Sequence, residues 1–162
     1  MVRVDLGTRL DLESSTTQDR SLTVAHPKIL IVDDQPDICR TIGKVLTLND
    51  FPVELVNDPH EAIEKMAQGL YRIVFSDIQM PGMSGLELLK ALKSRSPMAV
   101  VIMMTAFHDQ GMVVECIEHG AHDFLTKPIE PLELILEVAQ DAEKKVRRWA
   151  KALKAVSYPL ME

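Results

Sequence analysis

Short apolar runs alternate with longer amphipathic segments along most of this chain. The apolar runs predict five β-strands, at residues 28–32, 53–56, 72–76, 98–104 and 123–126. Helical periodicity predicts helices after these strands, at 36–49, 59–68, 84–94, 109–119 and from 131 onward. Because the strand runs are almost continuously apolar, they are typical of parallel strands covered on both faces. The alternation predicts an α/β fold with a five-stranded, parallel, doubly wound sheet.

Local sequence signals support these helix boundaries. Asp58 stands where the second helix needs an N-cap, and Ser84 with Glu87 forms a capping box before the third helix. Gly69 and Gly120 follow the second and fourth helices, where a residue in the left-handed conformation commonly ends a helix.

The residues that follow the predicted strands carry the candidate chemistry. Asp33 and Asp34 come directly after the first strand, and Asp77 comes after the third. Thr105 follows the fourth strand and Lys127 follows the fifth. Ligands of a doubly wound sheet bind outside the carboxyl ends of its strands, so these side chains are expected to meet at one edge.

Three carboxylates at one edge are suitable oxygen ligands for a hard divalent cation, and Mg²⁺ is the expected ion. Without a cation, neighbouring carboxylates would raise one another's pKa. Lys127 and the hydroxyl of Thr105 would supply donors for an anionic oxygen group. A metal, a lysine and a hydroxyl around one carboxylate predict phosphoryl transfer to that carboxylate.

The chain resembles the receiver domain of two-component response regulators over about residues 27–145. Four motifs carry the resemblance: DD at 33–34, DIQMPG at 77–82, TA at 105–106 and KP at 127–128. It implies a flavodoxin-like sheet with strand order 2-1-3-4-5 and five helices, and the residue pattern extends the last of these helices beyond a receiver domain. It also implies a phosphoacceptor switch rather than a turnover enzyme, with a sensor histidine kinase or a phosphotransfer protein as its partner.

The resemblance assigns roles to individual residues. Asp77 would be the phosphoacceptor. The implied ligands of Mg²⁺ are Asp33, Asp34, Asp77 and the backbone carbonyl of Gln79. The implied contacts of the phosphoryl oxygens are Thr105, Lys127 and the backbone N–H groups of Ile78 and Ala106. Thr105 and Phe124 would form the switch, with a purely packing role for Phe124 as the alternative. The bond between Lys127 and Pro128 is expected to be cis, and Gln79 and Phe107 are expected to influence water access.

Two other protein classes share parts of this pattern. A phosphatase of the haloacid dehalogenase type also uses an aspartate nucleophile and Mg²⁺, but it needs a second aspartate two residues later. Gln79 and Gln35 stand at that place after Asp77 and Asp33. A flavin-binding module of the same topology needs a phosphate loop rich in Ser, Thr or Gly, whereas the carboxylates here would repel a phosphate. Turnover of a phosphomonoester or a yellow protein would favour these alternatives.

Both ends of the chain extend beyond the expected receiver domain at 28–145. Residues 1–27 are polar and predict a flexible tail, with a short docked element as the alternative. The last helix, from Leu132 to Ala155, would span roughly 36 Å at about 1.5 Å per residue. Its apolar residues follow a heptad seam: Ile135, Ala139, Ala142, Val146, Trp149, Leu153 and Val156.

The part from Val146 to Val156 is expected to have no sheet left to cover. A coiled-coil homodimer through residues 146–162 is therefore predicted, with a frayed helix end or another docking partner as alternatives. Because such a seam often links a receiver to an output domain, the chain is expected to be either a stand-alone receiver or part of a longer transcription factor or signalling enzyme.

Composition restricts the expected binding partners and the cellular location of the protein. The net charge of −6 and the pI of about 5.4 predict no general attraction to nucleic acid or to an anionic membrane. No apolar run approaches the roughly 20 residues of a membrane span, and a cytoplasmic protein is expected. Cys39 and Cys116 lack the spacing of a metal site and predict reduced core thiols. The histidines also lack a metal-like spacing, and nothing singles out His26.

Overall fold

The computed structural model describes residues 25–106 and 109–157, in which five strands and five helices alternate. The elements are β1 (Lys28–Val32), α1 (Pro36–Thr47), β2 (Val53–Val56), α2 (Pro59–Ala67), β3 (Tyr71–Asp77), α3 (Gly85–Arg95), β4 (Val100–Thr105), α4 (Gln110–Glu118), β5 (Asp123–Thr126) and α5 (Glu133–Ser157). The predicted α/β class is confirmed. Most of the expected tail, residues 1–24, lies outside the described residues.

All strand pairs in the sheet are parallel, and the strand order is β2-β1-β3-β4-β5. This order confirms the doubly wound, flavodoxin-like topology. The connections reverse direction between β1 and β3, which places a crevice at the carboxyl ends of these two neighbouring strands.

Two hydrophobic layers cover the sheet. Helices α1 and α5 pack on one face, and α2, α3 and α4 pack on the other. The central strands β1, β3 and β4 are almost entirely buried, which explains their continuous apolar runs. Cys39 and Cys116 are buried and unpaired, as expected of core thiols.

The helix boundaries follow the predicted caps. The Asp58 carboxylate accepts from the backbone N–H of His60 at 2.9 Å, and Ser84 with Glu87 forms the reciprocal capping box. Gly69 and Gly120 have φ angles of +74° and +92°, as their positions after helices require. Strand β4 begins two residues later than predicted, because a turn precedes it in which the N–H of Ala99 bonds to the carbonyl of Ser96.

Helix α5 is continuous over 25 residues. The expectation that nothing covers its second half is wrong for two residues, because Val146 and Trp149 pack against the core cluster on the α1–α5 face. Beyond them, the seam is exposed: Leu153 retains 53% and Val156 82% of its accessible surface. Among the described residues, no helix is apolar over enough of its length to cross a bilayer.

Candidate functional site

The carboxyl ends of the strands bring the predicted acidic residues and the lysine together. The ammonium of Lys127 lies 2.6 Å from Oδ2 of Asp33 and 3.1 Å from Oδ1 of Asp77. Asp33 is fully buried, and Asp77 is 5% exposed. Asp33, Asp34 and Asp77 each offer a carboxylate oxygen, and these three atoms lie within 4.8 Å of one another.

Asp33 is fixed by the loop between β1 and α1. Its N–H donates to the carbonyl of Val56 at 3.2 Å, and its carbonyl accepts from the side-chain amide of Asn57 at 2.8 Å. Its carboxylate accepts from the N–H of Gln35 at 2.9 Å. Pro36 then starts α1, so the chain turns away directly after the acidic pair.

Asp77 is the last residue of β3, and the chain beside it is closely packed against the start of α3. The N–H of Ile78 donates to the carbonyl of Met104 at 2.9 Å, and the N–H of Gly85 donates to the carbonyl of Ile78 at 2.7 Å. A Cβ atom on Gly85 would lie 2.0 Å from the carbonyl oxygen of Asp77. Only glycine fits at this contact, and the sequence analysis did not predict this requirement for glycine at position 85. The available signal was a glycine at the first helical position after the capping serine.

The replacement Gly85→Ala is therefore expected to destabilise the fold by about 1–3 kcal/mol, the usual range for overpacking, because the displaced atoms belong to the backbone beside Asp77. Urea unfolding measures the change. The matched control is Gly111→Ala on exposed α4, where the nearest atom to the new Cβ would be a side-chain oxygen of Asp109 at 3.2 Å. Equal stabilities of the two variants would show that the close approach is unimportant.

The electrostatics of the site favour a bound cation. Burial, followed by the charge of Asp33, raises the pKa of Asp77, and the ammonium of Lys127 opposes this shift. Burial and then Asp33 also raise the pKa of the nearby Cys39 thiol, to about 11. Three carboxylates facing one ammonium leave an excess of negative charge. The oxygen donors and this charge fit Mg²⁺, which binds through carboxylates and keeps positions for phosphate oxygens.

Thr105 and Lys127 are linked through the backbone. Thr105 ends β4 and is 7% exposed, and its carbonyl accepts from the N–H of Lys127 at 2.7 Å. This bond places the lysine beside the acidic residues. The bond between Lys127 and Pro128 is cis, as expected, and the bond between Glu130 and Pro131, for which there was no expectation, is also cis.

Two other predicted site residues, Gln79 and Ala106, follow the ends of β3 and β4 at the same edge. Gln79 and Ala106 are exposed there, whereas Phe124 is partly buried against the core cluster on the α2–α4 face. The N–H of Ile78 already bonds to Met104, so a phosphoryl oxygen would have to share that donor. Their ligand and switch roles stay predictions. Phe107 lies outside the described residues.

Comparisons with known proteins agree with this geometry. Residues 29–139 match the response regulator receiver domain family. The chemotaxis protein CheY of Listeria monocytogenes serovar 1/2a is 39% identical over 118 residues, covering 72% of this chain and 98% of CheY. The solved structure of chemotaxis protein CheY4 of Vibrio cholerae has a TM-score of 0.68 and 29% identity, covering 73% of this chain and 99% of CheY4.

Longer regulators also match. The C4-dicarboxylate transport transcriptional regulatory protein DctD of Rhizobium meliloti (strain 1021) is 34% identical over 123 residues, covering 76% of this chain and 26% of DctD. This chain thus spans about a quarter of that relative. Receiver domains of two-component systems receive phosphate from histidine kinases, and this chain belongs to the response regulator receiver domain family as a signalling switch.

Proposed function

We propose that Asp77 accepts a phosphoryl group from the phosphohistidine of a sensor histidine kinase or a phosphotransfer protein, in a reaction that requires Mg²⁺. One observation carries the proposal: the Asp77 carboxylate lies beside the Lys127 ammonium and within 4.8 Å of two further carboxylates. The residues that would hold Mg²⁺ are Asp33, Asp34, Asp77 and, through its backbone carbonyl, Gln79.

In the proposed step, a carboxylate oxygen of Asp77 attacks the phosphorus in line with the donor. An O–P bond forms, the N–P bond breaks, and its electron pair goes to the departing imidazole. Lys127, 3.1 Å from Oδ1 of Asp77, offsets negative charge on the transferred group. Mg²⁺, when held by the residues named above, would supply further positive charge for the transferred group. The product is an acyl phosphate, which water hydrolyses to regenerate the carboxylate.

The phosphoryl oxygens would draw the Thr105 hydroxyl towards Asp77. Phe124 lies on the neighbouring strand β5, where Met103 of β4 is its partner in the register, and could move into the space beside Thr105. The output face would be α4, β5 and α5. Val114 and Ile117 support this assignment, because they leave 52% and 57% of their surfaces exposed on α4.

A macromolecular donor would also need a docking surface near Asp77. An apolar cleft of about 240 Å³ lies between α1 and the β5–α5 connection, and Lys127 forms part of its wall. Ile38, Ile129 and Leu132 line it. We propose that the donor protein seats part of its surface in this cleft.

The variant Ile129→Ser is expected to slow phosphotransfer from a histidine kinase several-fold while phosphorylation by a small donor such as acetyl phosphate stays near the wild-type rate. The reason is that only the protein donor uses the cleft. Rates are compared on phosphate-affinity gels, with Ile117→Ser on α4 as the control away from the cleft. If Ile129→Ser slows phosphorylation by both donors equally, the cleft affects the reactivity of Asp77 and not the docking of the donor protein.

We also propose that residues 146–162 support a homodimer through α5, since Leu153 and Val156 expose apolar surface along one helical stripe. Truncation after Lys145 is expected to give a monomer that still accepts phosphate at Asp77. Sedimentation over a range of concentrations measures the change, and Lys151→Ala serves as a control on the same helix. A full chain that stays monomeric at high concentration, with or without a phosphoryl mimic, would refute the dimer.

A further inference from the structure

An apolar groove lies beside the second half of α5, at the end of the sheet opposite Asp77. It encloses about 320 Å³ between α5, the start of β3 and the loop before β4. The α5 side is lined by Val146, Trp149, Ala150 and Leu153, and the opposite side includes Tyr71, Pro97, Met98 and Ala99. Met98 and Leu153 leave 38% and 53% of their surfaces exposed. An occupant of the groove would remove the exposed apolar surface of these two side chains from water.

The first described residues form hydrogen bonds with side chains of α5. Nδ1 of His26 lies 2.9 Å from Oε2 of Glu143, which is 8% exposed, and the His26 ring stacks on Phe51 at 4.3 Å. Arg147 bonds to Glu143 and also donates to the carbonyl of Ala25 at 3.4 Å. The described chain therefore begins beside α5.

Reach and side-chain chemistry make this segment a suitable occupant. Arg147, which holds Ala25, precedes Leu153 by six residues, which is about 9 Å of helix. Five extended residues before Ala25 would span roughly 17 Å, so the segment is long enough to reach Leu153. Leu22 and Val24 alternate with polar residues directly before Ala25, so in an extended segment they would face one side.

Charge favours this segment over a second copy of α5. After Glu143 the helix carries six basic residues: Lys144, Lys145, Arg147, Arg148, Lys151 and Lys154. Two such helices side by side would bring these like charges together, which weakens α5 dimerisation. By contrast, residues 1–24 carry four acidic and three basic side chains, so this nearly neutral segment can approach the basic helix without that repulsion.

We propose that the N-terminal segment of this chain docks in the α5 groove, with Leu22 and Val24 against Trp149 and Leu153. The segment covers apolar surface that is continuous with the seam and therefore competes with α5 dimerisation. Docking of the segment does not depend on phosphorylation of Asp77, whereas its competition with dimerisation rests on the proposed α5 dimer.

The only tryptophan of the chain, Trp149, reports directly on the groove. The double variant Leu22→Ser/Val24→Ser and a deletion of residues 1–24 are expected to shift its emission to the red and to strengthen acrylamide quenching. The control Val2→Ser/Val4→Ser, at the far end of the same segment, is expected to leave both unchanged. A synthetic peptide of residues 8–24 is expected to reverse the shift saturably in the deletion variant.

Sedimentation of the same proteins tests the competition. The deletion variant is expected to self-associate at lower concentration than the full chain, and an unchanged far-UV circular dichroism spectrum shows that each variant is folded. Trp149 emission and quenching that are the same with and without the segment would overturn the proposal. Quenching that depends on protein concentration and not on the segment would also overturn it, because a second copy would then be the occupant.

Discussion

Replacing Asp77 with Asn is expected to reduce phosphorylation of this chain by acetyl phosphate and Mg²⁺ to background. The amide lacks the anionic oxygen that attacks phosphorus, while its size and position at the end of β3 are preserved. Intact-mass spectrometry of the full chain, read within the lifetime of the acyl phosphate, measures the added phosphoryl group.

Asp58→Asn is the matched control, because Asp58 is an N-cap away from the site and asparagine caps a helix equally well. It is expected to accept phosphate as the wild type does. Undiminished labelling of Asp77→Asn would place the phosphoacceptor elsewhere and remove the basis of the proposed mechanism.

Replacing Asp34 with Ala is expected to weaken Mg²⁺ binding by about 100-fold or more. Mutation of a residue that only hydrogen-bonds to a metal ligand typically lowers metal affinity by about 10–100-fold, and loss of a direct ligand should cost at least as much. Asp34 is partly buried and supplies one of the three clustered carboxylate oxygens. Its removal takes away a ligand and a negative charge together. Calorimetric titration with MgCl₂ measures the affinity.

The control for this variant is Asp37→Ala. Asp37 lies three residues later on α1, where its side chain is 90% exposed and pairs with Arg40. Its loss is expected to change Mg²⁺ affinity little, because a surface ion pair contributes at most about 1 kcal/mol. Equal affinities of the two variants would contradict the proposed metal site.

The meeting of Asp33, Asp77 and Lys127 was predictable because strand ends are readable from sequence. In a parallel sheet, residues that follow different strands reach one edge whatever their separation along the chain. Lys127 and Asp33 are 94 positions apart and still form an ion pair. The resemblance then supplied the strand order and the role of each residue.

The contacts that sequence reasoning missed are set by tertiary packing. The need for glycine at position 85 comes from the backbone of Asp77, which approaches α3 only in the fold. The pairing of His26 with Glu143 joins positions 117 apart, and neither residue stands in a recognisable motif.

The second half of α5 shows a different limit. A heptad spacing is the same whether apolar residues pack on their own domain or on another helix. Trp149 fits the seam, yet it packs partly on the core of its own domain. Periodicity therefore identified the apolar stripe correctly but could not identify what covers it.

Transfer of labelled phosphate from an autophosphorylated histidine kinase to this chain tests the central claim most directly. After transfer, the acyl phosphate is reduced with borohydride and the modified peptide is sequenced by mass spectrometry. The proposed function predicts modification at Asp77, dependent on Mg²⁺ and prevented by EDTA. Modification at another residue, or transfer that proceeds unchanged in EDTA, would contradict it.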